Sequence, residues 1–320
     1  QGQGAGEGIV VISNTTAAVT FNDDIGDATN TLDSIQIASG ATMKQLGNYD
    51  DALVFEVLGN IDADGAVGTG GTLTLQAGSE LLATGTVSTI TADIDGDVTL
   101  TTLNVLGGAA RTATGTTDIG GAISDINIAG TTTAAVNITG GAGGVSAGSS
   151  VGGVGGNIVF SDAAGGIQAP TITFKGGAGG AGAGGQTGGV GGAVLLSNVS
   201  AGTVTATTVN ITGGNGGNGL SNSANAAGGV GGAVDVTDIT VAVAANINVT
   251  SGNGGTAGAG GAAAAGGAGG VGGAISGYTH SGLITGDVTF ASGNASDGGA
   301  ASTDGVGGAG AAGGALTQEI

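Results

Sequence analysis

The chain has 320 residues, of which 77 are Gly, 8% are charged and none is Cys or Trp, and this composition lies far from that of an ordinary globular enzyme. The formal net charge of −20 leaves no basic patch, so we predict that the chain binds neither nucleic acid nor an anionic membrane surface. No run of about 18 apolar residues is present, which predicts no membrane insertion. Without Cys, stability has to come from repeated hydrogen-bonded strands.

The N-terminal region, residues 1–135, is predicted to consist of β-solenoid strands, because it contains less Gly and longer apolar runs such as Ile9–Ile12 and Leu53–Leu58. A Gly-rich segment precedes the first run. We predict that residues 1–12 reach a neighbouring subunit and insert there as a donor strand. The sequence begins at Gln1, from which we expect that a signal peptide has been removed and that the protein is secreted, extracellular or on the surface of a microbial cell.

Closely spaced carboxylates in the same region are candidate calcium ligands. Hard oxygen donors at this spacing are the ligands that Ca²⁺ prefers, so we predict structural calcium sites. The alternative is that Asp-Gly pairs only form turns between strands, and Asn104 stands where an EF-hand loop starting at Asp93 needs Glu. The candidate ligands form three groups: Asp23, Asp24 and Asp27; Asp62 and Asp64; and Asp93, Asp95 and Asp97.

From residue 136 to residue 320 the chain repeats itself about five times, at intervals of about 35 to 41 residues. Each repeat contains a short alternating phrase, then a Gly-rich segment, then a phrase of the type Gly-Gly-Ala-Val. The alternating phrases are Val136–Thr139, Thr171–Phe174, Val209–Thr212, Ile247–Thr250 and Val288–Phe290, and the Gly-rich segments are roughly 140–156, 176–192, 213–232, 252–273 and 292–314.

Each repeat has the length of one solenoid coil once its Gly-rich segment is subtracted. About 18 to 20 residues remain, for example 193–212, which is enough for two apolar runs and one turn. The pattern therefore predicts an all-β fold, a right-handed parallel β-solenoid (β-helix), with Val, Ile, Leu and Phe pointing inward and Thr and Asn pointing outward.

The Gly-rich segments have a period of three, which matches neither an α-helix nor a strand. It matches polyproline II, in which every third side chain lies on one edge and the other two edges stay bare. We predict antiparallel Gly-rich hairpins, polyproline-II-like flaps that leave each coil and stack on the next. The alternative is five mobile surface loops.

Residues 18–42, AVTFNDDIGDATNTLDSIQIASGAT, resemble the repeats of autotransporter passengers and filamentous-haemagglutinin-like bacterial surface proteins. The Gly-rich flaps are similar to the glycine-rich tips of some phage tail adhesins and to the PGRS segments of mycobacterial surface proteins. The resemblance implies a β-solenoid fold and a surface location, and it transfers no functional residue.

Residues that could carry chemistry are few. His280 is the sole His, and Tyr49 and Tyr278 are the only Tyr residues available to stack on sugar rings, so we predict that the chain is not an enzyme. Asn-x-Ser/Thr sequences could accept glycans, with an outward ladder of Asn and Thr as the alternative. They begin at Asn14, Asn137, Asn198, Asn210, Asn248 and Asn294.

Two classes of function fit these features. The first is a structural subunit of a fibre, sheath or surface layer, which self-associates through its end strands into a homopolymer. The second is an adhesin or ligand-binding tip that recognises a glycan or a surface receptor.

Overall fold

The computed structural model describes residues 135–147, 150–160, 169–220, 226–260, 265–301 and 306–317, together with shorter segments nearer the N-terminus. These segments are 9–14, 16–17, 19–21, 34–37, 42–46, 53–57, 60–62, 72–76, 90–94, 98–99, 102–107, 113–114, 119–124 and 127–128. The described residues form strands and no helix.

The strands are β1 (Ile9–Ile12), β2 (Val19–Phe21), β3 (Ser34–Ile37), β4 (Thr42–Leu46), β5 (Leu53–Val57), β6 (Asn60–Asp62), β7 (Thr72–Gln76), β8 (Ile90–Ile94), β9 (Val98–Thr99), β10 (Thr102–Leu106), β11 (Ala113–Thr114), β12 (Ile123–Ser124), β13 (Asn127–Ile128), β14 (Ala135–Thr139), β15 (Ser146–Ala147), β16 (Ile158–Phe160), β17 (Thr171–Lys175), β18 (Val194–Thr212), β19 (Val234–Thr250), β20 (Ile275–Ser276), β21 (His280–Ile284) and β22 (Val288–Ala291).

The described strands pair in parallel and build a β-solenoid, which confirms the predicted all-β class and the parallel stacking. A 16-stranded sheet forms two faces of the coil. One face stacks β5, β8, β12, β16, the first parts of β18 and β19, and β20. The other stacks β2, β4, β7, β10, β14, β17, the last parts of β18 and β19, and β22. A separate four-stranded sheet has the strand order β1-β3-β6-β9.

The corner of the coil differs from the prediction in one respect. A turn was expected between the two apolar runs of residues 193–212, but β18 is one strand of 19 residues and β19 one strand of 17. The ladder between them shifts register between Val199 and Val204 and again between Val204 and Thr205. An irregularity of this kind bends a strand without ending its pairing, so the corner needs no separate turn.

Side chains of successive coils stack in the core because the parallel register puts equivalent residues beside each other. Val136, Ile172, Val209 and Ile247 form one continuous rung series, and all are fully buried. Across the core, the ring of Phe160 meets Phe174 edge to face with 5.5 Å between the ring centres. The core is thus filled by Val, Ile and Phe side chains, as the alternating phrases predict.

Candidate functional site

Each Gly-rich segment is an antiparallel hairpin, as predicted. In the hairpin after β14, Gly156 N–H donates to Gly141 O at 2.7 Å and Gly153 N–H donates to Gly144 O at 2.9 Å. The next hairpin turns at Gly184 and Gly185, whose φ values of 58° and 82° lie in the left-handed region that favours Gly. The alternative of five mobile loops does not fit these bonds.

We call the first half of each hairpin the outgoing arm, the second half the return arm, and all arms together the glycine slab. The outgoing arms are residues 140–147, 176–183, 213–220, 251–260 and 292–301. The return arms are residues 119–122, 150–157, 186–193, 226–233, 265–274 and 306–315.

Hydrogen bonds between coils recur at every third residue of an arm. Gly140 N–H donates to Lys175 O at 2.9 Å, and Gly143 N–H donates to Ala178 O at 2.8 Å. Three residues per turn is the repeat of polyproline II, so the period of the bonds agrees with the period of the sequence. The residue left over in each triplet, such as Ala178, is partly or fully exposed, and we call its place the outer position.

Both Gly residues of a triplet are required by close backbone packing. A Cβ on Gly155 would overlap the carbonyl oxygen of Gly177 in the next coil, and a Cβ on Gly156 would overlap that of Gly121 in the preceding coil. Real Cβ atoms keep at least 3.0 Å from such neighbours. Larger side chains are therefore confined to the outer position, and the inner positions that are not Gly hold small buried residues such as Ser146, Ala226 and Ser251.

The return arm nearest the C-terminus is an exception to this packing. In each earlier return arm, one Gly faces the outgoing arm of the following coil so closely that no Cβ fits; these residues are Gly120, Gly155, Gly191, Gly231 and Gly272. At the equivalent Gly313 the nearest backbone atom is 3.8 Å away, and a Cβ on Gly310 would meet nothing within 4 Å. We call the surface carrying Gly307, Gly310 and Gly313 the open glycine edge.

The strand half of this last coil is open as well. Ile247 and Val249 of β19 are fully buried, whereas Val288 and Phe290, in register with them on β22, are partly exposed. Leu316, which bridges Ile275, is 51% exposed. Among the described residues, no strand covers the other side of β22. The C-terminal face of the stack thus presents core side chains, an unpaired strand edge and the open glycine edge together.

The calcium prediction stays a prediction. Asp62 lies on β6 and Asp93 on β8, where the backbone register places Asp93 beside Glu56 and Asn127. The other candidates, Asp23, Asp24, Asp27, Asp64, Asp95 and Asp97, lie outside the described residues. Within the part of the chain that the structure describes, no group of three potential ligands comes together.

His280 is exposed at the start of β21, and its ring centre lies 5.6 Å from that of Tyr278. Tyr278 is buried against Phe290, 5.0 Å between ring centres, and its hydroxyl has no hydrogen-bond partner among the residues that the structure describes. Burial raises the pKa of the Tyr278 hydroxyl from 10.0 to about 12. The preceding Gly277 has a φ of 63°, in the left-handed region that favours Gly.

Several of the Asn-x-Ser/Thr positions form rungs between coils. Asn137 Nδ2 donates to Asn104 Oδ1, and Asn248 Nδ2 donates to Asn210 Oδ1, both at 3.0 Å. These bonds are those of the outward Asn ladder that was the alternative to glycosylation.

Comparison with protein-family models, with curated proteins and with solved structures finds no match. The solenoid part of the resemblance is confirmed by the fold itself. None of the described residues forms a helix that could span a bilayer.

Proposed function

We propose that the chain is a non-enzymatic structural subunit of an extracellular, cell-surface assembly, a fibre, sheath or surface layer that grows by stacking coils end to end. The observation that carries this proposal is the C-terminal face. Gly307, Gly310 and Gly313 keep the glycine pattern although no backbone of the described residues presses on them. A further coil lying there would require the same glycines as the inner coils, and in this proposal a second copy supplies that coil.

The other end of the stack supplies edges for that second copy. Among the described strands, β1 is the edge of the four-stranded sheet and β2 pairs with β4 alone. A head-to-tail contact joins two different surfaces, and it produces a filament when the rotation between successive copies does not close a ring. Residues Ile9–Ile12 pair with β3 of the same chain, which leaves the second edge of β1 for a neighbour.

Location and calcium belong to the same proposal. The resemblance of residues 18–42 to bacterial surface solenoids supports a place on the cell exterior, and the Asp groups of residues 23–27, 62–64 and 93–97 all fall in the half that would meet the preceding subunit. Bound Ca²⁺ would lower the repulsion between copies that each carry a net charge of −20.

The test is electron microscopy and sedimentation of the purified 320-residue chain, beside the double variant Gly310→Val/Gly313→Val. Both positions have room for a side chain in the single chain, so the variant should fold as the native protein does. We expect filaments from the native chain and no filaments from the variant, because a valine side chain excludes the next coil.

The matched control is Ala309→Val/Ala312→Val, which adds similar volume on the same arm at outer positions. It should assemble like the native chain. Deletion of residues 1–12 and addition of a calcium chelator show whether the donor strand and Ca²⁺ take part. Native chains that stay single under every condition overturn the proposal and favour the adhesin, and so does a glycine variant that assembles unchanged.

A further inference from the structure

The two broad faces of the glycine slab carry different side chains. The outgoing arms form one layer and the return arms form the other. Each return arm is hydrogen-bonded to the outgoing arm of its own hairpin and to that of the following hairpin. For example, Gly156 N–H donates to Gly141 O, and Gly177 N–H donates to Gly156 O. Outer positions of the outgoing layer carry one row of exposed residues, Ala142, Ala178, Asn215, Asn253 and Asn294. Outer positions of the return layer carry a row of aliphatic residues instead.

This second row is continuous from coil to coil, and we call it the valine ladder: Ile119, Val154, Val190, Val230 and Val271. Its register follows from the backbone bonds of the adjoining glycines, which donate to the carbonyl of the next rung. Gly155 N–H donates to Val190 O and Gly191 N–H donates to Val230 O, both at 2.9 Å. Ile119, Val190, Val230 and Val271 are 40%, 42%, 41% and 40% exposed.

Local packing does not require these aliphatic side chains. The outer position accepts Ala, Thr or Asn elsewhere in the slab, as Asn215 and Asn253 show on the outgoing layer. On the return layer, the outer positions one triplet away hold small residues such as Ala193 and Ala233. The fold therefore does not require a β-branched side chain at this exposed position of every coil, and its recurrence points to a role at the protein surface.

Charge favours this face as the place where a second copy binds. The chain carries a net charge of −20, so two copies repel each other over most orientations. The described outer positions of the return layer contain no ionisable side chain, whereas the outgoing layer includes Asp297. This uncharged face is where a second copy can approach closely without burying carboxylates.

We propose that the valine ladder is a lateral, two-fold interface between two copies of this chain, formed independently of end-to-end stacking. In each copy, neighbouring side chains of the valine ladder are one coil apart. The side chains of one copy therefore fit between those of the other copy along the whole row. Four or five half-exposed side chains supply a minor part of the roughly 800 Å² that each partner buries in a standard interface. The alanine rungs beside the ladder, among them Ala193, Ala233 and Ala274, share the contact, and the pair is reversible.

The test uses chains that also carry Gly310→Val/Gly313→Val, so that end stacking does not obscure pairing. Sedimentation equilibrium over a wide concentration range should show a monomer–dimer equilibrium for this background. Adding Val190→Asn, Val230→Asn and Val271→Asn should shift the dissociation constant at least tenfold toward the monomer. Asn occupies the outer position in the opposite layer, so these variants keep the fold, which the thermal unfolding midpoint verifies.

The matched control places Asn on the opposite face, with Ala142→Asn and Ala178→Asn, and should pair as the background does. A covalent readout is available because the chain has no Cys. An equimolar mixture of the single variants Val190→Cys and Val230→Cys should give a disulfide-linked pair on mild oxidation, while Ala178→Cys mixed with Asn215→Cys should not. A background chain that is monomeric at every concentration overturns the proposal, as does pairing that the three Asn substitutions leave unchanged.

Discussion

The strand half and the glycine slab of each coil stack on the next coil by different means. Between strands, ladder hydrogen bonds are accompanied by fully buried side chains such as Ile172, Val209 and Ile247. Between arms, the residues in contact are almost all Gly and the hydrogen bonds run from backbone to backbone. Side-chain volume specifies one half of the coil, and the absence of side-chain volume specifies the other. Removing atoms should therefore weaken the strand half, and adding atoms should weaken the slab.

The largest effect is expected from a single added carbon in the slab. In Gly192→Ala, the new Cβ overlaps the carbonyl oxygen of Gly156, so two arms have to separate. We expect the free energy of unfolding to fall by more than about 4 kcal/mol, measured by denaturant titration. The control Ala178→Val adds two carbons at an exposed outer position and should change stability by less than about 0.5 kcal/mol. Equal effects of the two changes would contradict the comparison.

A removal of atoms from the strand half comes next. Ile211→Ala deletes a fully buried side chain whose rung neighbours are Phe174 and Val249. The lost burial and the remaining cavity should cost about 3 kcal/mol, read from the same titration. Val190→Ala removes a smaller group from the exposed outer position of the slab and should cost less than about 1 kcal/mol. If the two substitutions cost the same, the core does not depend on its side chains as described.

One polar rung sharpens the comparison, because it is a place where the slab does use a side chain. Asn253 Oδ1 accepts a hydrogen bond from Asn294 N–H at 2.8 Å and thereby satisfies a backbone donor at an outer position. Asn253→Ala should lower the free energy of unfolding by about 1 kcal/mol. Asn253→Asp keeps the acceptor oxygen and should retain most of that stability at neutral pH. An Asp variant as unstable as the Ala variant would exclude the rung as the cause.

The smallest effect concerns Tyr278, at the open end of the core. Within the described part of the chain its buried hydroxyl has no hydrogen-bond partner, so Tyr278→Phe should leave stability unchanged or raise it by up to about 1 kcal/mol. Because burial raises the pKa of this hydroxyl from 10.0 to about 12, ionisation is less favourable in the folded chain than in the unfolded chain, and the free energy of unfolding falls as the pH rises from 10 toward 12. Unfolding measured across that range should show a shallower decline for the Phe variant. Identical slopes would mean that Tyr278 is not buried in solution.

The repeating phrases were sufficient to predict the strands of the C-terminal half. Val136–Thr139 and Thr171–Phe174 fall within β14 and β17, and the period of three in the Gly-rich segments predicted the hairpins. Alternation and period are local properties of the sequence, which is why they transfer directly into strand and arm. The unbroken passage of β18 through the corner is not local, because it depends on pairing with β19 of the following coil.

The surfaces were harder to predict than the elements. The recurrence of Val before Gly-Gly, at Val154, Val190, Val230 and Val271, was a visible signal for the valine ladder. Its exposure became known only once the arms were assigned to layers. The open glycine edge carries no sequence signal at all, because Gly310 and Gly313 look like every other Gly of the repeat and differ only in what packs against them.

The parallel register also makes the length of the protein adjustable without redesign. Lys175 lies directly beside Thr212, and the residues after each of them, Gly176 and Gly213, begin equivalent arms. Excising residues 176–212 would join Lys175 to Gly213 and remove one complete coil with its hairpin, while every remaining rung would keep a neighbour of the same type. Whole coils can therefore be gained or lost in evolution. The length of the protein then changes in steps of one coil, while the types of side chain on both faces and at both ends stay the same.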